Sequence, residues 1–239
     1  LDTVETAATG YIVPVSAGIE ATGDHDHDDD DHDHGEDDHD HDDDDHDHGE
    51  DDHDHDHAAG DPHVWFDPNN VTVWVENIEH VMSDLLPGEH EAFEAAAERY
   101  EEQLQELDAE IRRRVASLPE SRRKIVIDHA SLDYFADRYG FEVIGTVIPA
   151  TTDQAEPSTQ AVARLVEVIR QEEAPAIFVG ATASRGLEGL VNAVAGEVGR
   201  DIRIGRLLTG SLAPEGEPGD TYLGFMEYNV TQIVENLAD

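Results

Sequence analysis

The sequence predicts an α/β protein built from two Rossmann-like βα lobes, with parallel sheets, joined by a long rigid helix. After Pro119, short apolar runs alternate with amphipathic segments, as in a parallel sheet wrapped by helices. Apolar residues at steps of three or four from 89 to 118 predict a helix of about 45 Å. We therefore expect residues 1–88 to be the remainder of an incomplete N-terminal lobe, 89–118 the linking helix and 119–239 the C-terminal lobe.

The first half of the chain contains few predicted elements. Residues 11–19, YIVPVSAGI, form a short apolar run typical of a strand and turn. A helix is expected over 71–86, because its apolar stripe stops at Pro87-Gly88. The stripe of the linking helix consists of Phe93, Ala97, Tyr100, Leu104, Leu107, Ile111, Val115 and Leu118.

Strands and helices alternate in the second half. A helix from 131 should end at Gly140, a residue that readily adopts the left-handed conformation found after helix C-termini. The expected strands cover residues 124–128, 141–148, 176–180 and 203–208, and the expected helices cover 131–139, 157–173, 187–198 and 221–237.

Acidic residues dominate the composition, with 57 acids against 14 bases. Residues 24–57 hold 21 of these acids and no base, so the other 205 residues still carry 36 acids against 14 bases. Such a charge is typical of proteins from concentrated salt, where short screening lengths weaken self-repulsion. Lys124 is the only lysine, and we expect a halophilic source. Nucleic acid and anionic membranes are excluded as partners because both would be repelled.

Residues 24–57 form a His/Asp-rich tract in which DHDHDDDDHDHGED occurs at 24–37 and again at 38–51. Without apolar residues it should be a disordered loop. Its imidazoles, flanked by carboxylates, predict weak zinc sites for which metal competes with protons. The alternative is an acidic solubility segment without a role in metal binding. The loop histidines are His25, His27, His32, His34, His39, His41, His46, His48, His53, His55 and His57.

The chain contains no cysteine, which excludes disulfides and thiolate metal sites, and four histidines lie outside the tract. His80 and His90 fall on polar faces of predicted helices, where we expect them to be solvated. His63 lies in a turn between two prolines. His129 follows a predicted strand, at the end where parallel sheets place ligand sites. For both residues the alternative is a histidine satisfied by a backbone hydrogen bond.

Four separated segments resemble the metal-binding solute-binding proteins of zinc and manganese ABC importers. They are GDPHVWFDPNNV, VIDHASLDYFADRYGFEV, AEPSTQAVARLVEVIRQEEAPAIFV and DTYLGFMEYNV, spread from about Gly60 to the C-terminus. The resemblance implies two α/β lobes joined by one long helix, with a metal in the cleft between them. Zinc members carry a His- and acid-rich insertion just before the DPHxW turn, where the tract lies.

The resemblance also implies metal ligands. The histidine of DPHxW corresponds to His63, and the histidine before the YFA helix corresponds to His129; we expect the two rings to approach each other from opposite lobes. Manganese relatives usually have glutamate at the latter position, and imidazole nitrogen suits zinc better than manganese. Zn²⁺ is therefore the expected transported ion, with Mn²⁺ less favoured.

Two further ligands of the family have no clear counterpart. Its earliest histidine would precede this chain, which begins at Leu1 and which we expect to be N-terminally truncated. Its late aspartate falls at Gly210. The candidates to complete the site, besides water, are Asp153, Glu156, Glu215 and Asp220.

The resemblance implies capture of Zn²⁺ outside the cytoplasm and delivery to the permease of an ABC importer, without catalysis. We expect a monomer at the cell surface, tethered through a segment absent from this chain. The alternatives are a secreted zinc buffer or a metal-dependent adhesin. A zinc hydrolase is disfavoured, because the sequence contains no HExxH motif or comparable pair.

Overall fold

The computed structural model describes residues 12–19, 61–148 and 158–238. The His/Asp-rich tract and the candidate ligands Asp153 and Glu156 lie outside the described residues. Within them the chain forms a four-stranded parallel sheet covered by helices, which confirms the predicted fold class. Within the same ranges, no helix combines the length and the hydropathy that a bilayer span requires. The division into lobes at residues 88 and 118 stays a prediction.

Four strands and six α-helices make up the described part of the chain. The strands are β1 (Lys124–His129), β2 (Glu142–Ile148), β3 (Ala176–Gly180) and β4 (Arg203–Leu207). The helices are α1 (Pro68–Leu85), α2 (His90–Val115), α3 (Asp133–Tyr139), α4 (Thr159–Gln171), α5 (Arg185–Glu197) and α6 (Tyr222–Leu237).

The sheet has the strand order β2-β1-β3-β4, and both of its faces are buried. Ile125 and Ile127 of β1 pack with residues of α2, α3 and α6 on one face. Val126 points the other way and packs with residues of α4 and α5. This alternation explains why the central strands β1 and β3 are largely continuous apolar runs in the sequence. All four strands are parallel, so their carboxyl ends lie at one edge of the sheet.

Helix α2 is shorter than the predicted linking helix. It has 26 residues and ends at Val115, which corresponds to about 39 Å. Ala116 still has helical angles and donates its N–H to the carbonyl oxygen of Arg112. The chain leaves the helix just before Pro119, because proline disfavours helical conformation in the residue before it. The guanidinium group of Arg123 donates hydrogen bonds of 3.2 and 3.1 Å to the carbonyl oxygen of Leu118. These bonds stabilise the turn that leads into β1.

The predicted stripe of α1 is only partly buried. Val71 lies in the core, whereas Ile78 and Leu85 are 49% and 67% exposed. Residues 12–19 form the expected turn but, within that range, not the expected strand. The side-chain amide of Asn77 donates to the carbonyl oxygen of Val15 at 2.8 Å. This bond attaches the turn to the middle of α1.

A polar network joins the segments that follow the two candidate histidines to the long helix. The carboxylate of Asp108, on α2, accepts hydrogen bonds from Arg138 at 3.0 and 3.1 Å, from Tyr139 at 3.1 Å and from Arg112 at 3.1 Å. Arg138 also lies 3.4 Å from Asp67, whose carboxylate caps α1 through the backbone N–H of Asn69. The network therefore fixes α1 and α3 against α2.

Replacing Asp108 with asparagine should destabilise the fold by about 2–3 kcal/mol, because Arg138 and Arg112 lose a charged acceptor. Burial acts to raise the pKa of Asp108, but the hydrogen bonds from Arg138 and Arg112 outweigh it and lower the pKa overall. The charged Asp108 therefore stabilises the fold fully above the pKa that this residue has in the unfolded chain. The stabilisation is lost as the pH falls through its lower pKa in the folded state, in the region below about pH 4.

Urea unfolding in molar KCl at neutral pH and at about pH 3 would measure this effect. The stability difference between wild type and Asp108→Asn should shrink at the acidic pH. Asp137→Asn, an exposed change on α3, is the matched control and should leave stability unchanged. A difference of equal size at both pH values would contradict the role of the Asp108 charge.

Candidate metal site

His63 is held by a carboxylate two residues before it. Oδ1 of Asp61 accepts the backbone N–H of His63 at 2.9 Å and lies 2.6 Å from its Nδ1. Both side chains are buried, at 7% and 6% exposure. A carboxylate oxygen only accepts hydrogen bonds, so in a neutral imidazole this contact favours the tautomer with the ring hydrogen on Nδ1 and the lone pair on Nε2.

His129 repeats this arrangement at the carboxyl end of β1. Oδ1 of Asp128 accepts the backbone N–H of His129 at 2.9 Å and lies 2.8 Å from its Nδ1. Oδ2 of Asp128 accepts the backbone N–H of Gly180, at the end of the neighbouring strand β3, at 2.8 Å. Asp128 is 1% exposed. The second imidazole therefore also has its Nε2 available to a ligand.

The structure brings the two imidazoles together although 66 positions separate them in the chain. Their ring centroids are 5.5 Å apart, with an angle of 59° between the ring planes. The expected proximity of His63 and His129 is therefore found; that they share a metal ion stays a prediction.

Aromatic residues after His63 fix its turn against the C-terminal part of the chain. The indole of Trp65 lies edge-on to the His63 ring, 5.4 Å between centroids, and its Nε1 donates to the carbonyl oxygen of Thr209 at 3.2 Å. The hydroxyl of Tyr222 donates to the carbonyl oxygen of Trp65 at 2.9 Å. The site thus lies where the 61–66 turn meets the carboxyl ends of β1 and β3 and the loop after β4.

The third ligand is not evident in the described part of the chain. Within those residues, no group of three or more histidine, aspartate or glutamate side chains is placed to hold a metal. Gly210 follows Thr209, and a Cβ built on it would meet no described atom within 4 Å. There is thus open space at Gly210, the position that we expect to correspond to the family's aspartate.

The other candidate ligands are not brought into a group with the two histidines. The carboxylate of Asp220 accepts the backbone N–H of Gly216 at 2.8 Å, which ties it into its own loop, and Glu215 is exposed. Their role as ligands stays a prediction, as does that of Asp153 and Glu156. These last two lie outside the described residues.

His80 and His90 lie on the helical surface, as expected. Their side chains are 77% and 56% exposed. Nδ1 of His90 is hydrogen-bonded to the hydroxyl of Ser83 at 2.9 Å.

Sequence reasoning missed Asp61 and Asp128. Asp61 belongs to the DPHxW motif but was not assigned a role. Asp128 ends an otherwise apolar strand, and a carboxylate within such a strand is itself a signal, because burial of a charge without a partner is unfavourable.

Comparison with known proteins places the chain among metal-binding proteins. The family described as zinc-uptake complex component A, periplasmic (ZnuA), matches residues 1–236. The manganese-binding lipoprotein MntA of Halalkalibacterium halodurans is 33% identical over 178 residues, 74% of this chain and 57% of the relative. The zinc-binding protein TroA of Treponema pallidum is 34% identical over 183 residues, 76% of this chain and 58% of the relative. The chain thus spans less than two thirds of these relatives.

Solved structures agree with the fold. The periplasmic zinc-binding protein TroA of Treponema pallidum superposes with a TM-score of 0.69 at 34% identity, covering 76% of this chain and 65% of the other. The Mn-bound periplasmic metal-binding protein of Candidatus Liberibacter asiaticus gives a TM-score of 0.66 at 23% identity, over 77% of this chain and 66% of the other. The second likeness shows the fold alone.

Proposed function

We propose, since this chain belongs to the ZnuA family of periplasmic zinc-uptake components, that it captures Zn²⁺ outside the cytoplasm and delivers it to the membrane permease of an ABC importer. The family is a substrate-binding component of a transporter and not an enzyme, so the ion is bound and released unchanged. Such a chain has to act outside the cytoplasm, at the membrane that holds its permease. Several relatives are named as lipoproteins, which supports this location.

The observation that carries the proposal is the pair of buried imidazoles with free Nε2 atoms. A zinc–nitrogen bond of about 2.0–2.1 Å puts each ring centroid about 3.2 Å from the ion, and a tetrahedral angle then separates two centroids by about 5.2 Å. The centroids of His63 and His129 are 5.5 Å apart. This separation is close to the value expected for two rings on one zinc ion, which supports the proposal that they share it.

Zinc is favoured over manganese by the donor atoms. Both histidines offer imidazole nitrogen, which suits zinc, whereas manganese prefers carboxylate, carbonyl and water oxygens. Relatives of similar identity carry zinc or manganese in their names, so the family alone does not choose between the two ions. The nitrogen pair of this chain is the reason for proposing zinc.

A zinc titration of the full chain should show one tight binding step, which we call the tight phase and assign to His63 and His129, beside weak binding by the His/Asp-rich tract. Removal of either imidazole should weaken the tight phase by at least about 100-fold, more than is typical for the loss of a residue outside the coordination sphere. Zinc titration in competition with a chromophoric chelator, on His63→Ala and on His129→Ala, would measure this loss. His80→Ala and His90→Ala are the matched controls, because both rings are exposed. A tight phase that survives both site substitutions would contradict the proposed function.

A further inference from the structure

We propose that Asp61 and Asp128 are a matched pair of positioning residues that act through His63 and His129 and make the site selective for zinc over manganese. The inference rests on the proposed function, because it concerns the same site. Neither carboxylate is proposed to touch the ion. Their role is to orient the two rings and to supply negative charge behind them.

The first argument is the repetition of one geometry in two unrelated backbone settings. Asp61 precedes its histidine by two residues in a turn, whereas Asp128 is adjacent to its histidine at the end of a strand. In both pairs the same oxygen, Oδ1, accepts the backbone N–H and contacts Nδ1 at 2.6–2.9 Å. Each carboxylate thus holds the ring in the tautomer that leaves Nε2 free.

The second argument is charge. The two carboxylates are 6% and 1% exposed, and Oδ2 of Asp61 is buried without a hydrogen-bond partner among the described residues. A buried anionic oxygen without a donor is costly. The two carboxylates lie behind the two rings, where their negative charge would favour a divalent cation at the Nε2 atoms. The site can therefore attract a dication although Gly210 has no carboxylate to contribute and leaves open space there.

The third argument concerns selectivity. Because Oδ1 of each aspartate is engaged by its histidine, and Oδ2 of Asp128 by the N–H of Gly180, these oxygens are held away from direct coordination. The ion receives the negative charge through imidazole nitrogen instead of through oxygen. A nitrogen donor made more basic in this way strengthens the bond to zinc more than the bond to manganese.

A measurement on the unmodified full chain tests the tautomers directly. Long-range ¹H–¹⁵N correlation spectra of the metal-free protein at neutral pH should show His63 and His129 with the hydrogen on Nδ1. The opposite tautomer at either ring, with hydrogen on Nε2, would overturn the assignment of its aspartate. This result does not require any variant to fold.

Variants test the selectivity. Asp61→Asn and Asp128→Asn remove the charge with little change of shape, and each should lower zinc affinity about 10- to 100-fold, with a smaller loss for manganese and part of the ring population moved to the Nε2–H tautomer. Asp137→Asn, an exposed substitution on α3, is the control for net charge. Zinc affinity equal to that of this control, or equal losses for zinc and manganese, would overturn the proposal.

The outcomes also separate this inference from the proposed function. If the tight zinc phase depends on His63 and His129 but not on the aspartates, the function stands and the positioning role fails. If the tight phase is independent of the histidines, the proposed function fails whatever the aspartate variants show.

Discussion

The melting temperature of the full chain is expected to rise by about 10 °C or more between dilute buffer and molar KCl, if salt relieves a few kcal/mol of self-repulsion. The formal net charge is −43, and 36 acids face 14 bases even outside the His/Asp-rich tract. In dilute buffer these charges interact over tens of ångströms, whereas in molar salt the screening length falls to about 3 Å. Salt should therefore stabilise the compact state.

The structure shows crowding of like charges between α1 and α2. Burial raises the pKa of Glu101, and the neighbouring carboxylates of Glu76, Glu98 and Glu79 raise it further. A raised pKa means that the folded state holds the proton more tightly than the unfolded state, so the charged form opposes folding above the unfolded pKa. At low salt, lowering the pH through the raised pKa of Glu101 should thus relieve part of this repulsion.

Thermal melts followed by circular dichroism, over a series of KCl concentrations, would measure the salt effect. A chain lacking residues 24–57 should keep most of the salt effect, because the 36 acids and 14 bases outside the tract remain. Glu98→Gln should reduce the salt dependence, and a nonionic osmolyte should not reproduce it. A melting temperature that is indifferent to KCl would remove the interpretation of a halophilic protein.

The fold was largely predictable because the central strands β1 and β3 are buried on both faces. Apolar runs such as 124–128 and 176–180 needed no partner information to be recognised, and Gly140 adopts the expected left-handed conformation, with φ of 71°. The end of α2 was missed because the apolar stripe continues to Leu118, which packs in the core from outside the helix. The exposure of Ile78 and Leu85 was not predictable either, since periodicity reports which face is apolar and not what covers it.

The candidate site was predictable in part. His63 and His129 were identified through the resemblance, and the parallel sheet explains why a strand end such as His129 carries a ligand side chain. The roles of Asp61 and Asp128 depend on which carboxylate oxygen faces which ring nitrogen. That geometry depends on the local backbone conformation, so sequence spacing alone could not reveal that pairs separated by two residues and by one residue make the same contacts.

Deleting residues 24–57 is expected to remove the weak, multi-ion phase of a zinc titration and to leave the tight phase intact. The tract contains only aspartate, glutamate, histidine and glycine, and its eleven histidines offer many similar donors. Because the tract has no apolar residue, its sequence predicts that binding there carries a large cost in conformational entropy. His63 and His129 are already held by the fold, so they bind with a smaller ordering cost.

The pH dependence should separate the two phases as well. Histidine ordinarily titrates near pH 6.5, and surrounding carboxylates favour its charged form, which does not bind metal. Lowering the pH to about 5 should therefore weaken the tract phase strongly. Isothermal titration of the wild type and the deletion chain at both pH values would measure this, with molar KCl present to keep both folded.

A matched control replaces the eleven tract histidines with glutamine and keeps every carboxylate. If imidazole is the donor, this variant should lose the weak phase as completely as the deletion does; if the acids alone attract zinc, it should keep that phase. The reciprocal variant, with His63 and His129 both changed to alanine, should lose the tight ion and retain the weak phase. Should the deletion instead abolish the tight ion, the tract would be the primary receptor, and the buried histidine pair would have to be a structural contact rather than the site of capture.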